Sequence, residues 1–239
     1  MVKRFYEAAA VAAAADGFTV ALDGRPARTP GGVSLILSNR ALAQAVAEEW
    51  AAQDDTIDPR AMPLTRLANA AIDLGGGGRR AMVEGACAYA ATDLLCYRAE
   101  TPRDLVERQA RAWQPLLDWA AETHGARLRV TRGVVPVVQP PAALAALGRA
   151  VADLDDIRLA AVSATAGPTG SLVIALALVA GHIDAGEAWE AARVDENFQR
   201  EQWGEDAEDT ARRARIKADI EAAGRFAALC REAGSPRVP

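Results

Sequence analysis

Histidine, cysteine and aromatic residues are scarce in this 239-residue chain, and each scarcity excludes something. His124 and His182 are the two histidines, and Cys87, Cys96 and Cys230 the three cysteines. A zinc site needs clustered thiolates and imidazoles, so no metal is expected. Three thiols at no framework spacing also speak against a disulfide scaffold and for a reducing compartment. A long apolar run is missing too. The most apolar stretch, residues 172–180, is far shorter than the roughly 20 residues a membrane span needs, and it reads as a buried core helix. The start, Met1-Val2-Lys3-Arg4-Phe5-Tyr6-Glu7, resembles a signal peptide only superficially, because Glu7 interrupts a weakly apolar alanine run. Basic excess is absent: Lys and Arg total 27 against 32 Asp and Glu, a net charge of -5, which makes the chain a poor candidate for duplex nucleic acid, a partner that rewards basic patches.

Phosphate and nucleophile motifs are equally incomplete. Four glycines at 75–78 precede Arg79-Arg80 but lack the Lys-Ser/Thr end of a phosphate loop, so they read as a linker or hinge. Gly170-Ser171 has no triad partner, and Thr169 or Ser171 is more simply the cap of the apolar helix. His124 precedes Gly125 and His182 follows Gly181, which places both at helix ends, where an imidazole can meet free carbonyls. No cofactor is expected.

What remains is a chain with 51% apolar and 25% charged residues, the balance of a globular protein. Its first part reads as β. Residues 18–22 are strand formers followed by the hairpin dipeptide Asp23-Gly24. Thr29-Pro30-Gly31-Gly32 is a second turn, Leu35-Ile36-Leu37 a second strand, and the alanine run 8–15 a strand by position. Helices then take over. Ser38 or Asn39 caps one whose face is Leu42, Val46 and Trp50, and Leu64, Leu67, Ala71 and Ile72 mark another. Beyond the glycines, Thr101-Pro102-Arg103-Asp104 opens a long helix, with Thr101 as its cap, Pro102 at the first position and Pro115 inside it. Residues 134–138 form at most an edge strand. Asp184-Ala185-Gly186-Glu187 is a capping box for a helix carrying Trp189 to Trp203, and a last helix runs from about Glu205 to Arg231. The expected fold is therefore α+β. A small β-rich N-terminal domain with one or two helices spans 1–75, and a larger all-helical C-terminal domain spans 79–239.

The densest functional signal is Phe198-Gln199-Arg200-Glu201-Gln202-Trp203-Gly204-Glu205-Asp206-Ala207-Glu208-Asp209. A Trp beside carboxylates suits a docking surface, because the indole supplies apolar area and the acids supply partner choice. Three alternatives stay open on spacing alone. The acids can be a solvated face paired with Arg212, Arg213, Arg215 and Lys217. They can form a docking surface in which Glu196, Gln199 or Arg200, and Trp203 share one helix face. Or the 195–209 cluster can supply the acid and base of a hydrolase, for which no substrate-holding groups are apparent. Trp50, next to Glu48-Glu49, has the same ambiguity between core and edge. Asp93 and Arg98 flank an apolar stretch and read as an internal structural pair.

Four ordered blocks resemble the assembly chaperones that hold the alpha subunit of the F-type ATP synthase head in mitochondria and alphaproteobacteria. They are Lys3-Arg4-Phe5-Tyr6 with 17–26 and Thr29-Pro30; Leu42-Ala43 to Glu49-Trp50 with Gln53, Ile57, Pro59, Met62-Pro63-Leu64-Thr65 and Ala71-Ile72-Asp73; Tyr89, Thr92-Asp93-Leu94-Leu95-Cys96-Tyr97-Arg98, Gln109 and Trp113-Gln114-Pro115-Leu116-Leu117; and Asp195-Glu196, Gln199, Trp203-Gly204-Glu205-Asp206-Ala207-Glu208 and Arg212-Arg213. The resemblance implies a β-rich domain followed by a helical one, no enzymatic activity and no nucleotide. It implies that the partner is the unassembled alpha subunit, whose beta-facing surface is covered until the beta subunit arrives. On this reading Trp203, Glu205, Asp206 and Glu208, with Glu196, Gln199 and Trp50, form or support the client-binding face. A resident adaptor, which stays on the finished synthase, is the neighbouring possibility. A chain starting almost at the Lys-Arg-Phe-Tyr block fits the bacterial cytoplasm, or the mitochondrial matrix if the source is a eukaryote.

Overall fold

The computed structural model describes residues 2–133, 135–204 and 207–234. Short strands dominate the start: β1 (Val2–Lys3), β2 (Ala9–Ala14), β3 (Gly17–Leu22), β4 (Arg25–Pro26) and β5 (Ile36–Leu37). β2 pairs antiparallel with β3 along its whole length, from Ala9 opposite Leu22 to Ala14 opposite Gly17. Alanine is a poor strand former, but β3 offers a complete hydrogen-bonding edge, and that tertiary context decides the outcome. Asp23 and Gly24 both have positive φ, 48° and 79°, the signature of the tight hairpin turn their sequence predicts. The Asp23 carboxylate accepts the N–H groups of Glu7 and Ala8, and these bonds hold its carboxyl below the usual range.

Asn39, rather than Ser38, caps α1 (Arg40–Ala51) by accepting the Leu42 N–H at 2.7 Å. Its amide also donates to the carbonyl of Leu229, far along the chain. β6 (Thr56–Ile57) pairs with β1. Glu49 of α1 caps α2 (Pro63–Asp73) from outside by accepting the N–H groups of Leu64 and Thr65 at 2.8 and 2.7 Å. The glycine run makes a tight turn: Leu74–Gly76 is one 3-10 turn and Gly77 is left-handed at φ 104°. α3 (Arg79–Ala91) follows, and Arg79 anchors its start to Asp156 and to the carbonyls of Ala152 and Leu154.

β7 (Tyr97–Arg98), α4 (Arg103–His124) and β8 (Thr131–Arg132) come next. The cap expected of Thr101 does not form. α4 is entered through a cis Thr101–Pro102 bond, and no side chain caps it. The edge pairing expected at 134–138 lies earlier, where Thr131 and Arg132 run parallel to Tyr97 and Arg98. Residues 135–138 form no strand, and Val134 lies outside the described residues. Asp93 and Arg98 are both buried, but they are not an ion pair. Asp93 accepts the N–H groups of Leu95 and Val173, whereas Arg98 donates to the carbonyls of Leu95 and Gln109. Both bond chiefly to backbone, which offsets much of the desolvation cost of burial without a partner of opposite charge, although the Nη2 of Arg98 is left buried with no hydrogen-bond partner.

The body is completed by α5 (Pro141–Ala152), α6 (Asp156–Thr169), α7 (Leu172–Ala180), α8 (Ala185–Ala192), α9 (Val194–Trp203) and α10 (Ala207–Gly234). Ser171 is the cap of α7, accepting the Ile174 N–H at 3.0 Å. Residues 172–179 are buried all round, as an apolar helix without a polar face must be. α6 lies against α2, α3, α7 and α10, so the helix before the glycines packs on helices beyond them. His124 ends α4 and His182 follows the Gly181 that ends α7, as expected; both rings lie 5.0 Å from Trp119. The N-terminal region is thus rich in short strands and the C-terminal region is dominated by helices: the fold is α+β. Among the described residues no helix is long and apolar enough to cross a membrane.

Candidate docking face

The acidic segment sits on α9 and the start of α10. The capping box forms as its sequence predicts, with Asp184 accepting the Glu187 N–H at 2.7 Å and Glu187 accepting the Asp184 N–H at 2.8 Å. It opens α8 alone. The single helix expected to carry both Trp189 and Trp203 is broken at Arg193, whose φ of -122° and ψ of 18° are not helical. The break serves the Arg193 side chain, which donates to Glu196 at 2.6 Å and to the Pro168 carbonyl at 2.7 Å and lies over the Trp189 ring.

α9 has no fully buried residue, and polar contacts hold much of it against α4. Gln109 donates to Asp195 at 2.6 Å. Arg108 donates to both carboxylate oxygens of Glu201 at 2.7 Å, and its guanidinium lies 5.3 Å from the Phe198 ring. Asn197 receives Arg213 of α10. The α9 carboxylates are therefore taken up one at a time by neighbouring amide and guanidinium groups. Asp209 is engaged in the same way by Arg212 at 2.9 Å, which holds its carboxyl below the usual range. Asp195 and Glu196 line one cleft, but each is bonded there to its own neighbour, Gln109 or Arg193, rather than left to act as an acid and base pair. Among the described residues, no three His, Cys, Asp or Glu side chains gather as a metal would need.

Trp203 is the last residue of α9 and is 81% exposed. The chain leaves it through Gly204 at φ 89° and ψ -175°, a conformation essentially reserved for glycine. Gln199 and Glu208 are also exposed. Glu196, four residues before Arg200 on the same helix, is half-exposed within its ion pair to Arg193. Glu205 and Asp206 lie outside the described residues. Trp50 belongs to a different part of the molecule: it is half-buried, and its ring lies 5.6 Å from that of Tyr6, whose hydroxyl donates to the Trp50 carbonyl. Arg108 and Gln109 were not among the residues that sequence spacing brings to this face. Only the i,i+4 relation of Arg108 to Asp104 is visible in the sequence, and it points along α4 rather than toward α9.

Trp is among the residue types enriched where one protein anchors another. The comparisons name the class. The ATP12 chaperone protein family matches residues 3–121. The crystal structure of Atp12 from Paracoccus denitrificans is 44% identical, covers 95% of this chain and 98% of its own, and superposes with a TM-score of 0.88. An Asp-to-Lys variant of the P. denitrificans protein matches with the same identity and TM-score, over 95% of this chain and 97% of its own. The Atu1473 protein of Agrobacterium tumefaciens is 41% identical over 95% of this chain and 86% of its own, again with a TM-score of 0.88. The chain belongs to the ATP12 chaperone family. It is a chaperone and not an enzyme.

Proposed function

We propose that this chaperone binds the unassembled alpha subunit of the F-type ATP synthase through the exposed end of α9, covers its beta-facing surface and leaves when the beta subunit arrives. The observation that carries this reading is Trp203, a large apolar side chain left 81% in water beside acidic residues. An unpaired subunit interface is apolar and aggregation-prone, and an indole can cover such a surface. The exposed Gln199 and Glu208, with Glu196, Glu205 and Asp206, supply the polar contacts that the beta subunit later replaces. Trp50, half-buried beside Tyr6, supports the fold of the N-terminal part and contributes at most an edge to the contact. The site of action is the bacterial cytoplasm, or the mitochondrial matrix if the source is a eukaryote.

Copurification tests the partner and a charge reversal tests the face. Tagged chaperone from its own lysate is expected to retain alpha subunit without beta subunit; whole synthase would identify a resident adaptor instead. The double variant Glu205→Lys, Glu208→Lys is expected to keep its melting temperature and lose protection of the alpha subunit against aggregation. A folded double variant that still protects would refute the acidic face.

A further inference from the structure

We propose that Arg108 on α4 is the positioning residue that sets the angle of α9, and so the placement of Trp203, for client capture. This rests on the reading of Trp203 as a client contact. The two ends of α9 are held differently. At its start, Val194 packs against the core, Asp195 is bound by the buried Gln109, and Asn197 is bound by Arg213. Further along, Arg108 reaches across from α4 and gathers three groups. It donates twice to Glu201 at 2.7 Å, pairs with Asp104 of its own helix at 3.1 Å, and lies over Phe198. Asp104 thus holds the guanidinium from behind while Glu201, two residues before Trp203, is held in front.

A helix without a buried face takes its direction from such contacts. With Val194, Asp195 and Asn197 held, loss of the Glu201 contact removes the tie between the last turn of α9 and α4, and the turn bearing Trp203 loosens beyond those anchors. The fold loses little, because the pair is half-exposed and no core residue depends on it. The client loses a preorganised contact, which is where affinity is most sensitive. Arg108 has no need to touch the client for this to hold.

The test uses the full-length chaperone and purified alpha subunit diluted from denaturant, with light scattering as the readout. Arg108→Ala is expected to need up to about five-fold more chaperone for half-protection, the range an exposed ion pair spans. Its melting temperature should stay that of wild type, while hydrogen exchange over residues 199–203 quickens. Arg108→Glu, which places a third acid beside Asp104 and Glu201, should be worse. Arg108→Lys should recover part of the loss, and the exchange Arg108→Glu with Glu201→Arg should recover most of it. Trp203→Ala runs alongside. If Trp203→Ala weakens capture but Arg108→Glu does not, or if the exchanged pair fails to restore it, the positioning role is wrong and the docking face stands. If Trp203→Ala captures as well as wild type, the docking face falls and the role of Arg108 falls with it.

Discussion

The least comfortable group in the molecule is the carboxyl of Asp93, and replacing it with an amide has a consequence that can be worked out in advance. Asp93 is fully buried, its oxygens accepting the N–H groups of Leu95 and Val173 at 3.1 Å each. The Ser171 hydroxyl and the Leu172 N–H also bond to it, so it closes the N-terminus of α7. Two effects oppose each other. The donors and the helix end favour the carboxylate, whereas burial beside an apolar helix, with no guanidinium bonded to it, favours the neutral acid. Burial wins and pushes the group up to about 6. In the unfolded chain the same group titrates near 3.9 (approximately). Below about pH 3 the proton is present in both states, and the favourable contribution is complete. As the pH rises toward 6 the unfolded chain releases its proton first, so folding stability falls by about 3 kcal/mol and levels off just above pH 6. Asp93→Asn has nearly the shape of the neutral acid and does not titrate. The free-energy difference between wild type and Asp93→Asn, from urea unfolding followed by circular dichroism at fixed ionic strength, should therefore move against wild type by about 2 kcal/mol between pH 4 and pH 7. A flat difference would show that the buried carboxyl titrates like an exposed one. A difference moving in favour of wild type would show that the donors at the α7 terminus outweigh burial.

Two further outcomes follow from local geometry. A Cβ at Gly17 would fall 2.3 Å from the carbonyl oxygen of Leu37 at a φ of 146°, so Gly17→Ala must separate β3 from β5 and should cost about 2–3 kcal/mol in thermal unfolding, whereas Gly24→Ala, where a Cβ meets nothing, should cost about 1 kcal/mol from its positive φ alone. A cost at Gly17 no larger than that at Gly24 would refute the close approach. Burial pushes the thiol of Cys96 up to about 12 and that of Cys230 up to about 11, and raises Cys87 as well. All three should react slowly with a thiol reagent at pH 8 in the native protein and promptly in denaturant; fast native labelling of Cys96 would refute its burial.

Much of the fold is legible in the sequence because its signals are local. Asp23-Gly24 needs positive φ at both residues and obtains it, and the capping box at Asp184 and Glu187 depends on residues three apart. The uniformly apolar helix over 172–180 has no face it could leave in water. What is not legible is cross-chain. Residues 134–138 contain better strand formers than 131–132, yet the pairing goes to Thr131 and Arg132, which lie opposite Tyr97 and Arg98. The pattern from Trp189 to Trp203 contains no Pro or Gly to break a helix after residue 186, and the Arg193 guanidinium at the break is held by Pro168 and Glu196 together, the first of them distant in sequence. Asp93 and Arg98 suggest a pair by sign and spacing, but backbone groups reached both first.

The same limit explains why the acidic cluster could be located without being resolved. Helical spacing states which side chains share a face, but not which face meets α4. Once α4 and α10 are in place the carboxylates divide by task. Asp195 and Glu201 fasten α9, Glu196 is tied to the break at Arg193, and Asp209 is tied within α10, while Gln199, Trp203 and Glu208 stand in water. If Trp203 is the client contact proposed above, a solvated face and a docking surface are not rival accounts of this segment. On the role proposed for Arg108, the ion pairs that look like mere solvation are what allow a helix with no buried side to hold an exposed indole in one place. For a chaperone that is an advantage: polar contacts at a surface cost little to break and remake, so the arm can yield when a stronger partner takes the client.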